Sequence, residues 1–284
     1  MTAADRLKER ATPPRAALAR RFVANVIGWV SLVARAARGP AAHAWALPQA
    51  RRLVAGMLVA IAALGATMLV LDAWAIDQVR RLPLWVVDLF NEITDYGKSG
   101  WFLWPCGLLV LALAFVAALT PGRVGYLVIA SLAVRLEFVF AAIAAPGLVV
   151  TIGKRLIGRV RPSEHGPFAY VPFSWRPDYA GMPSGHATSA FAAAVAVGML
   201  FPRARPLLWI YAIVIAASRV IISAHYPSDV LAGALVGGFG ALLVRNLFAA
   251  RRLGFARDAD GTVRALPGPS WRRIKSVAAR ALGD

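Results

Sequence analysis

Apolar runs long enough to cross a bilayer follow one another along most of this chain, and they exclude nearly every soluble architecture. Reading each run of about twenty mostly apolar residues as one crossing predicts six spans, at 53–76, 101–120, 124–150, 184–201, 206–222 and 229–248. Composition agrees: of 284 residues 59% are hydrophobic and only 16% charged, with mean hydropathy +0.61. The expected fold is all-α, a polytopic six-transmembrane-helix bundle forming one membrane domain over residues 51–250. After the first span, LPLWVVDLFNEI sets Trp85, Leu89 and Ile93 on one helical face. That pattern predicts a short interfacial helix over 83–95 on the outer side.

Both ends are polar and basic. Residues 1–50 read as a cytoplasmic arm, whose first twenty residues carry Pro13 and Pro14 and no apolar core of a cleavable leader. Within it, 21–37 reads as an interfacial helix, because its central apolar run is too short to span. Residues 251–284 form a basic cytoplasmic tail. The net charge of +18 would suggest nucleic acid in a soluble chain. Here no basic module is interleaved with aromatics, so no nucleic-acid partner is expected. Basic ends instead hold the termini in the cytoplasm and meet anionic lipid. Six spans also return the chain to its starting side. No obligate protein partner is expected, and Cys106, the only cysteine, can form no internal disulfide.

One loop resists this pattern. Residues 151–182 fall outside, yet carry Lys154, Arg155, Arg159, Arg161 and Arg176. Cations kept on the unfavoured side call for an anion to bind.

Three short texts meet on that outer face. In KRLIGRVRP, Lys154 and Arg161 are two helical turns apart, so both are expected to leave one helix face before Pro162 ends it. Arg155 and Arg159 then point elsewhere, toward lipid head groups. In PSGH, Ser184 is a candidate N-cap, leaving the N–H groups of Gly185 and His186 aimed at an anion. In SRVIISAHYPSD, Arg219 supplies a planar guanidinium. Asp229 opens the sixth span four residues after His225, near enough to orient its ring. Each text alone has an ordinary structural explanation. Their arrival together at the mouths of three spans does not.

Read in order, Lys154…Arg161-Pro162, Pro183-Ser184-Gly185-His186 and Ser218-Arg219…His225…Asp229 resemble the tripartite signature of the type 2 phosphatidic acid phosphatase (PAP2) superfamily. The stretch ITDYGKSGWFLWP is similar, less specifically, to bacterial members that include lipid A phosphatases. The resemblance implies an integral membrane lipid phosphatase of the bacterial inner membrane, with its site facing the periplasm. It implies His225 as nucleophile through a phosphohistidine, Asp229 as its orienter and His186 as general acid. Lys154, Arg161, Ser184, Gly185 and Arg219 would bind the phosphate. No cofactor and no metal are expected, since no carboxylate cluster with metal-ligand spacing is near.

The substrate stays open among lipid A, undecaprenyl pyrophosphate, phosphatidylglycerol phosphate and phosphatidic acid. So do phosphate transfer to a second lipid and a non-enzymatic transporter or scaffold. Arg135 and Glu137 in the third span, His165, and the loop aromatics Tyr170, Phe173 and Trp175 are kept out of the catalytic set. Gly233-x3-Gly237 reads as a helix-packing pattern.

Overall fold

The computed structural model describes residues 14–35, 47–120, 122–163, 166–258 and 260–282. The arm before Pro14, Pro121 and His165 lie outside them. The described residues form ten α-helices in chain order. They are α1 (Arg15–Ala34), α2 (Leu47–Val70), α3 (Asp72–Val79), α4 (Leu84–Thr94) and α5 (Gly100–Leu119). Then come α6 (Arg123–Ile157), α7 (Gly185–Leu200), α8 (Arg205–Ile221), α9 (Pro227–Ala250) and α10 (Trp271–Leu282).

Among the described residues, five helical stretches are long and apolar enough to cross a membrane, or six if the bent pair α2–α3 counts as one. Leu58, Val59, Leu69, Leu108 and Leu207 are exposed on them, surface that hydrocarbon rather than water suits. The chain is an integral membrane protein.

The spans differ in detail from expectation. The first is not one straight helix: it breaks at Leu71, and the two parts bend by 49°. Asp72 begins the second part fully buried, which no lipid-facing straight span would allow. α1, expected as interfacial, is long and apolar enough to cross, with Trp29 buried and its indole N–H donating to Tyr126 Oη. α4 stands where the short outer helix was expected, and the 3₁₀ turn Asp95–Gly97 links it to α5 in one apolar path of 36 residues. α7 has only 16 residues. Its small side chains, Ala187, Ala190, Ala192, Ala193, Ala194 and Ala196, are all buried against protein.

Two compact units are present. The first comprises Met1–Gly39, Trp104–Phe138 and Asn246–Asp284. In it Trp29, Ala114, Ala117, Val128, Ile129, Ala133 and Val277 form a core. Its tail holds an antiparallel pair, β1 (Phe255–Arg257) and β2 (Val263–Ala265), where no strand was expected. Arg135 donates to Ser131 O and Leu266 O, which ties the tail to α6.

The second unit, Pro40–Leu103 and Val139–Arg245, holds all three motif texts. There α9 lies directly on α7. A Cβ at Gly233 would stand 2.4 Å from Ser184 O, and one at Gly237 2.3 Å from Thr188 O. The Gly233-x3-Gly237 face is the close-packing surface the pattern predicts.

Candidate active site

The helix expected to carry both Lys154 and Arg161 ends between them. α6 stops at Ile157, and Gly158 takes φ +66, donating its N–H to Lys154 O at 3.1 Å. A Cβ there would fall 1.9 Å from Val171 O. Only glycine fits. Lys154 thus sits in the last turn of α6, while Arg161 lies on an extended segment whose N–H donates to Asp178 O. The two cations still act on each other electrostatically, but from two elements rather than one helix face.

The same turn redirects Arg159 inward, against the expectation of a lipid contact. Its side chain is 0% exposed. Nη1 donates to Ser228 Oγ and Asp229 Oδ1, both at 2.6 Å, and Nη2 to Asp72 Oδ2 at 2.7 Å. The guanidinium also lies 4.6 Å from the Tyr226 ring centroid. Arg155 instead donates to the carbonyls of Trp175 and Arg176 in the loop.

Ser184 precedes α7 as N-cap residue without making a side-chain cap bond. Its N–H donates to Asp229 O at 2.9 Å, which joins the second motif to the third. Next to it, a Cβ on Gly185 would meet nothing within 4 Å, so the α7 N-terminus opens onto free space. His186 follows in the first turn, within electrostatic reach of His225, Arg219, Lys98 and Asp95.

The turn from α8 to α9 carries the third text. Arg219 O accepts the N–H groups of both Ala224 and His225 at 3.1 Å, so cation and histidine are fixed to one another through the backbone. Asp229 Oδ2 accepts Tyr226 N–H at 2.9 Å and lies 3.6 Å from His225 Nδ1. That separation exceeds a formed hydrogen bond, yet it puts the carboxylate behind Nδ1 and leaves Nε2 as the other ring nitrogen. Burial pushes the His225 pKa below its ordinary value; Asp229 opposes that fall, and Arg219 and Arg161 add to it.

Among the described residues, seven buried side-chain N or O atoms lack a hydrogen-bond partner. Four are Arg161 Nε, Ser184 Oγ, Arg219 Nε and His225 Nδ1. Buried polar groups are rarely left so. An oxyanion beside Gly185 would satisfy the two guanidinium donors and the hydroxyl.

Some residues here carried no motif. Thr94 Oγ1 accepts Arg219 Nη1 at 2.8 Å and Ser218 Oγ at 2.9 Å. Gly97 faces His186 and Ile215, where a Cβ would stand 3.0 Å from His186 Cδ2. Asp72 had a signal, since an ionisable residue inside an apolar span is seldom idle. Among the described residues, no group of three His, Cys, Asp or Glu side chains is placed to hold a metal ion.

Residues 136–253 match the family model of the PAP2 superfamily, a range that includes all three motif texts. The chain is also 32% identical to the lipid A 1-phosphatase of Rhizobium etli over 222 residues, 74% of this chain and 91% of that relative. This chain belongs to the PAP2 superfamily. A second relative, the lipid A 4'-phosphatase of Bacteroides thetaiotaomicron, is 36% identical over 94 residues, 31% of this chain and 42% of that protein. A solved transmembrane PAP2 type phosphatidylglycerolphosphate phosphatase from Bacillus subtilis superposes with a TM-score of 0.41 at 20% identity, covering 80% of this chain and 94% of the other.

Proposed function

We propose that this PAP2 protein is a lipid phosphate phosphatase that removes the 1-phosphate monoester of lipid A, or of a lipid with the same phosphosugar head. The observation that carries the chemistry is the gathering of buried, unpartnered donors around His225, with Asp229 behind its ring. The substrate class is supported by the name of the Rhizobium etli relative, which this chain covers almost end to end.

His225 Nε2 attacks phosphorus, the N–P bond forms, and the bond from phosphorus to the lipid oxygen breaks. His186 gives that oxygen its proton. Water then attacks the phosphohistidine, His186 takes a proton from it, and inorganic phosphate leaves as the N–P bond breaks. Lys154, Arg161 and Arg219, with Ser184 Oγ and the Gly185 N–H, hold the equatorial oxygens as charge spreads over them. Those cations do the neutralising that a metal ion does in other phosphatases, so turnover continues in chelator.

The site faces the periplasm and the termini the cytoplasm of the bacterial inner membrane, as the basic ends favour. Trp271, Arg272, Arg273 and Lys275, all exposed on α10, then rest against anionic lipid.

Phosphate release from lipid A, phosphatidylglycerol phosphate, phosphatidic acid and undecaprenyl pyrophosphate, measured on purified protein in detergent with chelator, tests the reading. Release from lipid A that His225→Ala abolishes is the expected result. Silence toward every substrate would sink the hydrolase reading. Appearance of phosphate on a second lipid instead of in solution would make the protein a transferase. A reporter on the C-terminus checks the sidedness, and an exported tail would reverse it.

A further inference from the structure

Two charges outside the signature, Asp72 and Arg159, are buried beside it. Asp72, Arg159 and Asp229 are each 0% exposed and are joined in one chain of contacts. All five guanidinium N–H groups of Arg159 are used. Nε and Nη2 donate to Pro167 O, Nη1 to Ser228 Oγ and Asp229 Oδ1, and Nη2 also to Asp72 Oδ2. Asp72 is engaged as fully: Oδ1 accepts Ser228 N–H at 2.9 Å, and Oδ2 accepts Ser228 Oγ and Arg159. It therefore sits at the N-terminus of α9, where the helix dipole favours a negative charge. The 49° bend after Val70 brings it there.

Asp229 is the end of this chain. Oδ1 is committed to Arg159, and Oδ2 is left to Tyr226 N–H and the Nδ1 side of His225. A carboxylate held at only one oxygen could rotate away from the imidazole. This one cannot.

We propose that Asp72 and Arg159 are positioning residues, which fix the direction of the Asp229 carboxylate and thereby keep the proton of His225 on Nδ1 and the lone pair on Nε2. The proposal rests on His225 being the nucleophile. Lysine cannot replace Arg159, because a point charge with three donors cannot reach both carboxylates, Ser228 and Pro167 O together. Both side chains are 0% exposed and closed off by their partners, so each acts on turnover rather than on substrate binding.

The test compares Asp72→Asn and Arg159→Lys with wild type and with Asp77→Asn, a control at an exposed carboxylate on the same short helix. Steady-state phosphate release gives kcat and KM, and ¹⁵N-histidine NMR on the same detergent samples gives the His225 tautomer. Both variants should lose roughly 10- to 100-fold in kcat, with KM within about threefold of wild type. The His225 signal should move from one tautomer to a mixture. Unchanged kcat or an unchanged tautomer in Asp72→Asn would overturn the proposal, and so would a rise in KM alone. If one variant does not fold, the other carries the same two readouts. A wild type without phosphate release would refute the phosphatase reading, and the tautomer comparison would still decide the positioning role.

Discussion

The carboxylate of Asp72 accepts the backbone N–H of Ser228 at 2.9 Å, although 156 positions separate them in the chain. This contact fastens the bend of the first span to the turn that bears His225. Removing one member of such a buried charged set leaves the others unpaired, at a cost of about 3–5 kcal/mol. The turn is thus held from three directions: by α3 through Asp72, by the loop through Arg159, and by α7 through Ser184.

Gly158→Ala should disable the protein. The added Cβ would lie 1.9 Å from Val171 O, at a backbone φ of +66 that L side chains rarely adopt. Arg159 and Arg161 follow directly and would be displaced. A fall in detergent melting temperature, equivalent to more than about 1 kcal/mol, should accompany loss of phosphate release. An active, equally stable variant would show that the turn can shift without moving either arginine.

Gly233→Ala acts on the site from behind. Its Cβ would meet Ser184 O at 2.4 Å, so the start of α7 must move away from α9. Overpacking of this kind costs about 1–3 kcal/mol. Gly28→Ala, where a Cβ meets nothing within 4 Å, serves as the control. Thermal melts of both variants, with activity assays, should separate them clearly.

Thr94→Val keeps the shape but removes the acceptor of Arg219 Nη1 and Ser218 Oγ. A buried guanidinium left short of a partner costs about 1–3 kcal/mol and points less firmly. Product inhibition by inorganic phosphate should weaken about tenfold, the equivalent of 1.4 kcal/mol. An unaltered inhibition constant would free Arg219 from dependence on Thr94.

Stability should fall as acid is added, beginning near the ordinary imidazole pKa of about 6.5. The folded chain holds the His225 pKa lower, by burial first and by Arg219 and Arg161 next, with Asp229 opposing. His186 also faces it. The unfolded chain therefore takes up the proton first, and the stability present above that pH is lost as pH drops through the folded pKa. Melting temperatures across this range should show a shallower slope in His225→Gln.

Much of this arrangement was legible from text, because apolar runs and short motifs are local. The spans of α5, α6, α8 and α9 follow from the length of apolar runs and the α7–α9 face from glycine spacing, whereas the break at Leu71 and the short α7 do not. The path between Lys154 and Arg161 is also hidden, since a heptad spacing reads as helical and Gly158 turns left-handed against Val171. Arg159 reads as a lipid contact because a cation at a span end ordinarily goes there. Its true partners, Asp72 and Asp229, lie 87 and 70 positions away, and no local rule pairs them. Thr94 carries no signal, as a threonine near a helix end is commonplace.

The shortness of α7 has a consequence for the lipid. Sixteen helical residues reach about 24 Å, less than the roughly 30 Å of a bilayer's hydrocarbon. Arg203 and Arg205 follow its far end, and cations favour head-group level. With that end at head-group level, a helix of this length stops about 6 Å short of the opposite hydrocarbon edge, at Gly185. A phosphate attached close to its acyl chains would meet Gly185 by sinking slightly. One carried on a long, hydrated stalk would have to fold back toward the membrane to arrive.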